Sequence, residues 1–327
     1  MRLPEKFNFA NLPTKIEKLS RLSEELGKEI YIKRDDQTGG EISGNKIRKL
    51  EYAVREAIDN GCNYLITCGG IQSNHARATA AVARKLGMEV YLVLRGNQDS
   101  ELEGNYFLDK ILGAKIKLVA PEEFNSHIEN IMENIKKELE KEGYKPYIIP
   151  MGASNGVGSL GYCAAVEEIL SQEKELGIKF DAIVSTVGSG GTYAGLYYGN
   201  YIKDNNAVVY GINICDDAEY FKNIVLKLFK GISIYTGEEI HVDKKDIDIL
   251  DGYIGSGYAL SNENEIEFIH KLAKLEGLIL DPVYTGKAMY GLVEEIKKGT
   301  FDNHKNILFI HTGGIFGWNS VARSMVK

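Results

Sequence analysis

Short apolar stretches alternate with amphipathic stretches along most of the chain. The apolar stretches predict strands at residues 29–34, 64–68, 89–94, 114–119, 147–150, 181–187, 208–214 and 306–311. Apolar side chains at helical spacing predict helices at residues 73–86, 103–112, 128–142, 219–228 and 263–276, and another from the glycine-rich segment 152–161 to about residue 170. This alternation is typical of an α/β fold with parallel sheets covered on both faces.

The strand–helix units are more numerous than one open sheet usually holds. We therefore expect two doubly wound parallel-sheet domains. Ligands in such folds bind beyond the carboxyl ends of the strands, often between domains.

A lysine lies where a loop gives way to a predicted helix. Residues 43–45 form the loop, Asn45 is a candidate helix cap, and Lys46 falls in the first turn. The positive end of the helix dipole, together with burial, would lower the pKa of Lys46 and free its amine to attack a carbonyl. The alternative is an ordinary surface lysine beside Arg48 and Lys49.

Residues 68–75 connect a predicted strand to a predicted helix and carry an unusual density of polar side chains. Two glycines permit close approach of the backbone to a ligand, and the helix N-terminus favours an anion. Ser73, Asn74 and His75 follow in succession. We expect a site for a substrate carboxylate here; the alternative is that Ser73 simply caps the helix.

A second loop between a strand and a helix consists of Gly188, Ser189, Gly190, Gly191 and Thr192. Its successive amides and two hydroxyls are typical of a phosphate site. A dinucleotide fingerprint would need glycine where Tyr193 stands, and no lysine follows as in a Walker A loop. A monophosphate therefore fits better than a pyrophosphate, and a tight turn without a ligand is the alternative.

The last predicted strand leads into the loop 311–314, and segment 281–287 precedes it in the chain. Tyr284, Thr285 and Thr312 are candidates for hydrogen bonds in the cleft, although each could instead be a loop or capping residue. Tyr258 belongs to the same class on a weaker signal.

Composition excludes several classes of protein. A net charge of -7 without a basic stripe argues against nucleic-acid binding. No apolar stretch reaches membrane-spanning length, and residues 1–10 lack the apolar core of a signal peptide. The four cysteines form no CxxC pair and no metal-like spacing with histidines, so we expect reduced thiols, a cytoplasmic protein and no metal site.

A loop lysine, a monophosphate site and polar loops on one α/β scaffold point to pyridoxal 5'-phosphate. The lysine would form a Schiff base with the cofactor aldehyde, and the helix terminus would hold the phosphate.

Segments 44–52, 70–75, 188–192 and 281–287 closely resemble, in order and spacing, the motifs of the D-cysteine desulfhydrase and 1-aminocyclopropane-1-carboxylate (ACC) deaminase family. The resemblance covers nearly the whole chain. It implies the tryptophan synthase β-like scaffold of fold type II, pyridoxal phosphate and a homodimer. We place a larger cofactor-binding domain at residues 1–48 and 162–327, and a smaller inserted domain at 49–161.

Two positions resemble the desulfhydrase branch of that family. Thr285 and Thr312 stand where the ACC deaminases carry glutamate and leucine. A neutral threonine near the pyridine nitrogen gives a weaker electron sink than a glutamate. That sink can suffice when an α-proton is lost and a thiolate leaves, whereas opening an unactivated ring demands more.

The resemblance implies α,β-elimination of D-cysteine to pyruvate, ammonia and hydrogen sulfide. Lys46 would hold the cofactor and is the preferred base, with Ser73 or Tyr284 as alternatives. Asn74 resembles the residue that hydrogen-bonds the phenolic oxygen of the cofactor, and Thr285 or Thr312 would face the ring nitrogen. The alternatives are an ACC deaminase, a lyase acting on another β-substituted amino acid such as L-cysteate, and a silent protein that binds pyridoxal phosphate or an amino acid.

Overall fold

The computed structural model describes residues 1–326 and contains two separate β-sheets. The strands are β1 (Ile16–Lys18), β2 (Glu29–Lys33), β3 (Tyr64–Gly70), β4 (Glu89–Arg95), β5 (Lys115–Val119), β6 (Pro146–Ile148), β7 (Ala182–Val187), β8 (Val208–Asn213), β9 (Asp248–Leu250) and β10 (Asn306–Ile310). The larger sheet has the order β1-β2-β10-β7-β8-β9, and the smaller has the order β5-β4-β3-β6. Every pairing is parallel except that of β1 with β2.

Helices cover both sheets. They are α1 (Ser20–Leu26), α2 (Lys46–Asp59), α3 (Asn74–Lys85), α4 (Gly104–Ile111), α5 (Pro121–Lys141), α6 (Gly156–Leu176), α7 (Gly191–Ile202), α8 (Ala218–Thr236), α9 (Glu263–Glu276), α10 (Thr285–Lys297) and α11 (Ser320–Ser324). None of the helices within residues 1–326 combines the length and the apolar character needed to span a membrane.

Strand β10 shows why its residues form a central strand. Leu308 and Ile310 pack into the hydrophobic cluster on one face of the larger sheet, and Ile307 and Phe309 pack into the cluster on the other face. Side chains of a strand alternate between faces, so a strand buried on both sides must be apolar at every position. This double burial confirms the predicted doubly wound architecture.

The strands of the smaller sheet all lie within one continuous stretch, from Tyr64 to Ile148. Strands of the larger sheet come before and after that stretch. This division agrees with an inserted domain, and the boundaries at 48/49 and 161/162 stay a prediction.

The segment from Asp281 to Lys287, for which no secondary structure was predicted, contains the start of helix α10 at Thr285. The buried carboxylate of Asp281 accepts hydrogen bonds from the backbone N–H groups of Val283, Tyr284 and Thr285. These are donors that have no partner within the helix, and one upstream aspartate satisfies them. Because proline and glycine in the segment are typical of loops, the sequence pattern did not predict this helix start.

Other boundaries also differ from the prediction. Helix α5 begins at Pro121 rather than at residue 128, because proline is favoured in the first helical turn. Helix α6 ends at Leu176 with Gly177 in a left-handed conformation, later than the predicted residue 170. The three-residue edge strands β1 and β9 were missed because they are too short for a pattern to show.

A buried ionic cluster holds α2 against the larger sheet. Arg48 donates from Nε and Nη2 to the two carboxylate oxygens of Asp35, at 2.9 and 2.8 Å, and from Nη1 to Glu168 at 2.9 Å. Burial opposes ionisation of Asp35, but the charge and hydrogen bonds of Arg48 outweigh it and hold the pKa of Asp35 below its usual value. Tyr162 donates a further hydrogen bond to Asp35. The cluster therefore fixes where the first turn of α2 lies.

Replacing Arg48 with leucine should lower the free energy of unfolding by about 3–5 kcal/mol, because it leaves the buried carboxylate of Asp35 without its cation. Glu168 keeps its ion pair with Lys33 at 2.6 Å. Arg55 provides a matched control on the same helix, since its ion pairs with Asp59 and Glu5 are partly exposed. Arg55→Leu should cost less than about 1 kcal/mol. Urea denaturation of the three proteins measures both changes, and equal losses would contradict the assigned role of the cluster.

Candidate active site

A cavity of about 650 Å³ lies at the carboxyl ends of strands from both sheets. Most of the residues predicted as catalytic or ligand-binding line it: Lys46, Ser73, Asn74, His75, Gly188, Ser189, Gly190, Thr192, Tyr258, Tyr284 and Thr312. Gly191 and Thr285 do not belong to the lining. The structure therefore brings together loops that are far apart in the sequence.

Lys46 opens helix α2 at the edge of this cavity, as predicted. Burial lowers the pKa of Lys46 to about 8, and no carboxylate within residues 1–326 offsets that effect. Asn45 does not cap the helix with its side chain, contrary to the sequence expectation. Its amide instead donates to the hydroxyl of Thr192 at 2.9 Å, which ties the lysine loop to the predicted phosphate loop.

The end of β3 and the loop that leads to α3 line the cavity with Gly70 and Ser73. Ser73 is the N-cap of α3, and its hydroxyl accepts a hydrogen bond from the N–H of Ala76 at 3.2 Å. The structural alternative for Ser73 is thus correct, and the residue also lines the cavity. A Cβ at Gly69 would lie 2.4 Å from the Ser73 hydroxyl, so only glycine permits this close packing.

His75 is uncharged in this structure. Burial, reinforced by the nearby Lys46 and Lys49, holds the pKa of His75 well below its usual value. Its Nε2 lies 2.8 Å from the hydroxyl of Thr67, which itself donates to the backbone carbonyl of Ile149. A carboxylate at this loop would therefore meet backbone amides rather than an imidazolium.

The phosphate loop, residues 188–192, leads into the N-terminus of α7. Beside it, the hydroxyl of Ser154 hydrogen-bonds that of Ser189 at 2.7 Å and accepts from the N–H of Gly191 at 3.3 Å. The aligned amides and the helix dipole favour an anion at this position.

Lys49 is a residue that sequence analysis treated only as a neighbour of Lys46. It is fully buried, and its amine donates to the carbonyl of Gly152 at 2.6 Å and to the Ser154 hydroxyl at 2.9 Å. Burial, reinforced by Lys46, lowers the pKa of Lys49 well below its usual value. In the described part of the chain this buried lysine has no carboxylate partner, and its position behind the phosphate loop suits a nearby phosphate dianion. The position of Lys49 three residues after Lys46 was the sequence feature that could have identified it as a site residue.

Gly152 joins the lysine and the phosphate loop. Its backbone adopts the left-handed conformation, with φ of 67°. A Cβ here would lie 2.4 Å from the Ser189 hydroxyl and 3.4 Å from the amine of Lys46. Any side chain would fill the space between the two groups, so this glycine preserves room for a ligand that contacts both.

Two tyrosines form one side of the cavity. The hydroxyl groups of Tyr258 and Tyr284 hydrogen-bond each other, and burial raises the pKa of both. The guanidinium of Arg95 lies 4.8 Å from the centre of the Tyr258 ring. Both phenols therefore stay protonated at neutral pH. One of them donates to the other, so the pair has one hydrogen left to donate to a ligand.

The two candidate threonines differ in their placement. The hydroxyl of Thr285 donates to the carboxylate of Asp281 at 2.6 Å, and the side chain lies outside the cavity lining. The expectation that Thr285 contacts the cofactor therefore disagrees with its position, because its hydroxyl serves the start of α10. Thr312 lines the cavity, and its backbone carbonyl accepts from the N–H of Asn45.

These residues fit pyridoxal phosphate. Lys46 offers an amine with a lowered pKa, the phosphate loop offers amides and hydroxyls, and Lys49 lies behind that loop. Because Gly152 has no side chain, a space remains between the amine of Lys46 and the Ser189 hydroxyl of the phosphate loop. A Cβ at Gly152 would fill that space.

Residues 8–313 match the model of the family described as pyridoxal-phosphate dependent enzymes. Curated relatives include a bifunctional D-cysteine desulfhydrase/ACC deaminase, mitochondrial, of Arabidopsis thaliana, which is 43% identical over 95% of this chain and 78% of its own length. A putative ACC deaminase of Thermotoga maritima is 45% identical over 96% and 97% of the two chains. A D-cysteine desulfhydrase of Salmonella typhimurium is 38% identical over 94% of each.

A crystal structure described as an ACC deaminase homologue has a TM-score of 0.90 and 41% identity, and covers 98% of this chain and 96% of its own. A threonine deaminase structure, at 18% identity, has a TM-score of 0.64 over 92% of each chain and shows the shared fold. The predicted fold and the predicted cofactor are confirmed, whereas the homodimer and the cytoplasmic location stay predictions. The chain belongs to the family of pyridoxal-phosphate dependent enzymes, among the lyases related to D-cysteine desulfhydrase and ACC deaminase.

Proposed function

We propose that the protein catalyses α,β-elimination of D-cysteine, in which D-cysteine and water give pyruvate, ammonia and hydrogen sulfide. The observation that carries this choice is Thr312, a neutral and nearly buried side chain that lines the cavity. A neutral partner for the cofactor ring suits a reaction that begins with loss of an acidic α-proton. Relatives named D-cysteine desulfhydrase support the same substrate.

The cofactor supplies the electron sink when it is bound. The N–H of Ser73 donates to the carbonyl of Gly70, so the backbone amides of Asn74 and His75, in the first turn of α3, would bind the substrate carboxylate. Lys46 would hold the cofactor and then take the α-proton. The Tyr258–Tyr284 pair can donate a proton to the departing sulfur as the Cβ–S bond breaks. Lys49 and the phosphate loop keep the cofactor in place. Water then completes the conversion to pyruvate and ammonia.

Purified protein loaded with pyridoxal phosphate should release sulfide and pyruvate in equal amounts from D-cysteine. Lys46→Ala should lower this turnover at least about a thousandfold, because both the covalent attachment and the base are lost. Lys85→Ala is the control, since Lys85 lies at the surface in an ion pair with Glu41. Sulfide and pyruvate assays measure all three proteins.

Full activity in Lys46→Ala would contradict the role of this lysine. Release of ammonia from ACC, with no sulfide from D-cysteine, would favour the ACC deaminase alternative. A visible cofactor band without turnover of any amino acid would favour a silent binding protein.

The pKa of Lys46 predicts how its reactivity changes with pH. In the cofactor-free protein, labelling of Lys46 by acetic anhydride should rise about tenfold per pH unit below the pKa, because only the unprotonated amine reacts. The rate should level off above a pH of about 8, whereas a lysine with the ordinary pKa of 10.5 keeps gaining reactivity to much higher pH. Mass spectrometry of the labelled peptide measures the midpoint, and a midpoint near 10.5 would contradict the assigned environment.

Arg95 favours a second candidate substrate, L-cysteate. Its guanidinium lines the cavity, and within residues 1–326 it stacks on Tyr258 without a hydrogen bond or ion pair. A free guanidinium is suited to bind a sulfonate. Glu129 and Asp216 also line the cavity, and their negative charges favour a neutral side chain such as that of cysteine, which places L-cysteate second.

If L-cysteate is the substrate, Arg95→Met should reduce kcat/KM for L-cysteate about tenfold or more, with a smaller effect on D-cysteine, because only the sulfonate carries a permanent negative charge. Parallel measurement of sulfite and sulfide release compares the two substrates. Equal losses for both would indicate that Arg95 only supports the Tyr258 ring.

A further inference from the structure

Arg77 lies one helical turn after Asn74 on α3 and is fully buried. Its Nε donates to Oδ1 of Asn105 at 2.8 Å. Its terminal nitrogens donate to the backbone carbonyls of Glu41 at 2.6 Å and Ser43 at 2.9 Å, in the loop that precedes Lys46. A guanidinium has donors and no acceptor, so every group that it contacts must present an acceptor.

Because Arg77 can only donate hydrogen bonds, it determines which way the side-chain amide of Asn105 points. Because Oδ1 of Asn105 faces Arg77, its Nδ2 must face the other way. There it donates to the backbone carbonyl of Gln72 at 2.9 Å and to Oδ1 of Asn74 at 3.0 Å. Both hydrogens of the amide are used, and Asn105 is fully buried, so water cannot replace either contact.

The direction of the Asn74 amide follows from that of Asn105. Its Oδ1 is committed to Asn105, which leaves its Nδ2 without a hydrogen bond to the protein among residues 1–326. Asn74 lines the cavity and is nearly buried. The free polar atom of this side chain is therefore a donor.

Asp109 is the acidic group nearest to this arrangement on α4. It is fully buried, and neither of its carboxylate oxygens has a hydrogen-bond partner among the described residues. Burial raises the pKa of Asp109 well above its usual value. Among residues 1–326, Arg77 makes no hydrogen bond to Asp109 and donates to Asn105 and the two carbonyls instead.

We propose that Arg77 and Asn105 are positioning residues that force Asn74 to present its N–H₂ group, and not its carbonyl, to the phenolic oxygen of the cofactor. The proposal rests on the proposed function, because it assigns that partner to Asn74. In the Schiff base that Lys46 would form, the proton on the nitrogen would be stabilised by the phenolic oxygen of the cofactor. A hydrogen bond from Asn74 to the same oxygen would weaken that stabilisation. It would therefore lower the pKa of the Schiff base, which would stay unprotonated down to a lower pH.

Asn105→Asp tests the direction of the amide with almost no change in shape. The new side chain keeps an acceptor for Arg77 and loses both hydrogens that Asn105 donates. Asn74 should then turn its N–H₂ group to the new carboxylate and its oxygen to the cavity. The pH midpoint of the visible cofactor band should rise by about one unit, the effect expected of one hydrogen bond to a charged group.

A double-mutant cycle separates this effect from the added negative charge. Asn74→Ala alone should raise the midpoint by a similar amount, and Asn105→Asp in that background should raise it no further. Asn105→Leu adds no charge and should also raise the midpoint. It provides a second test if Asn105→Asp does not fold. Asn200→Asp is the matched control, because Asn200 is a nearly buried helical asparagine bonded to backbone carbonyls far from the cavity, and its midpoint should stay unchanged.

An unchanged midpoint in both Asn105 variants, beside a shifted midpoint in Asn74→Ala, would overturn the proposal and leave the proposed function intact. A shift of Asn105→Asp that persists in the Asn74→Ala background would also overturn it, because the charge alone would then explain the shift. Absence of a cofactor band in the unsubstituted protein would contradict the proposed function, and the inference with it.

Discussion

The buried pairing of Arg48 with Asp35 and Glu168 is the constraint on which the site depends. Removing three charges from water is costly, and only short, saturated hydrogen bonds compensate for that cost. Here the guanidinium binds both carboxylates, and the hydroxyls of Tyr162 and Thr14 also donate to Asp35. Because Asp35 follows β2 and Glu168 lies on α6, the pairing attaches α2 to the larger sheet while its other face packs on the smaller one.

The first residues of helix α2 include three basic side chains that have different surroundings. Successive residues are rotated by about 100° around a helix, so Lys46 and Lys49 lie one turn apart on the same side and Arg48 points away from both. Burial affects all three, with opposite results. Arg48 keeps its charge because carboxylates face it, whereas the two lysines have lowered pKa values because none faces them. One local sequence therefore supplies an anchor, a nucleophilic amine and a second buried amine behind the phosphate loop.

Much of the site could be predicted from local sequence. Glycine-rich loops after apolar strands identify where backbone amides converge, and Lys46 at a helix start identifies the amine. The direction of a side chain cannot be predicted in this way. Thr285 and Thr312 are equivalent candidates in the sequence, but Asp281 binds the hydroxyl of Thr285, and only Thr312 lines the cavity. Asn105 carried no signal, because its contacts come from residues about thirty positions away.

The sequence by itself determined the α/β architecture, the family and the cofactor, because apolar periodicity and short glycine-containing motifs are local properties. Only the tertiary structure decided that Lys49 lies behind the phosphate loop, which threonine lines the cavity, and which atom of the Asn74 amide is free. Those outcomes depend on the groups that surround a side chain after folding. Burial by distant segments lowers the pKa of a lysine, because those segments exclude water. Contacts with distant segments also fix the direction of a side-chain amide.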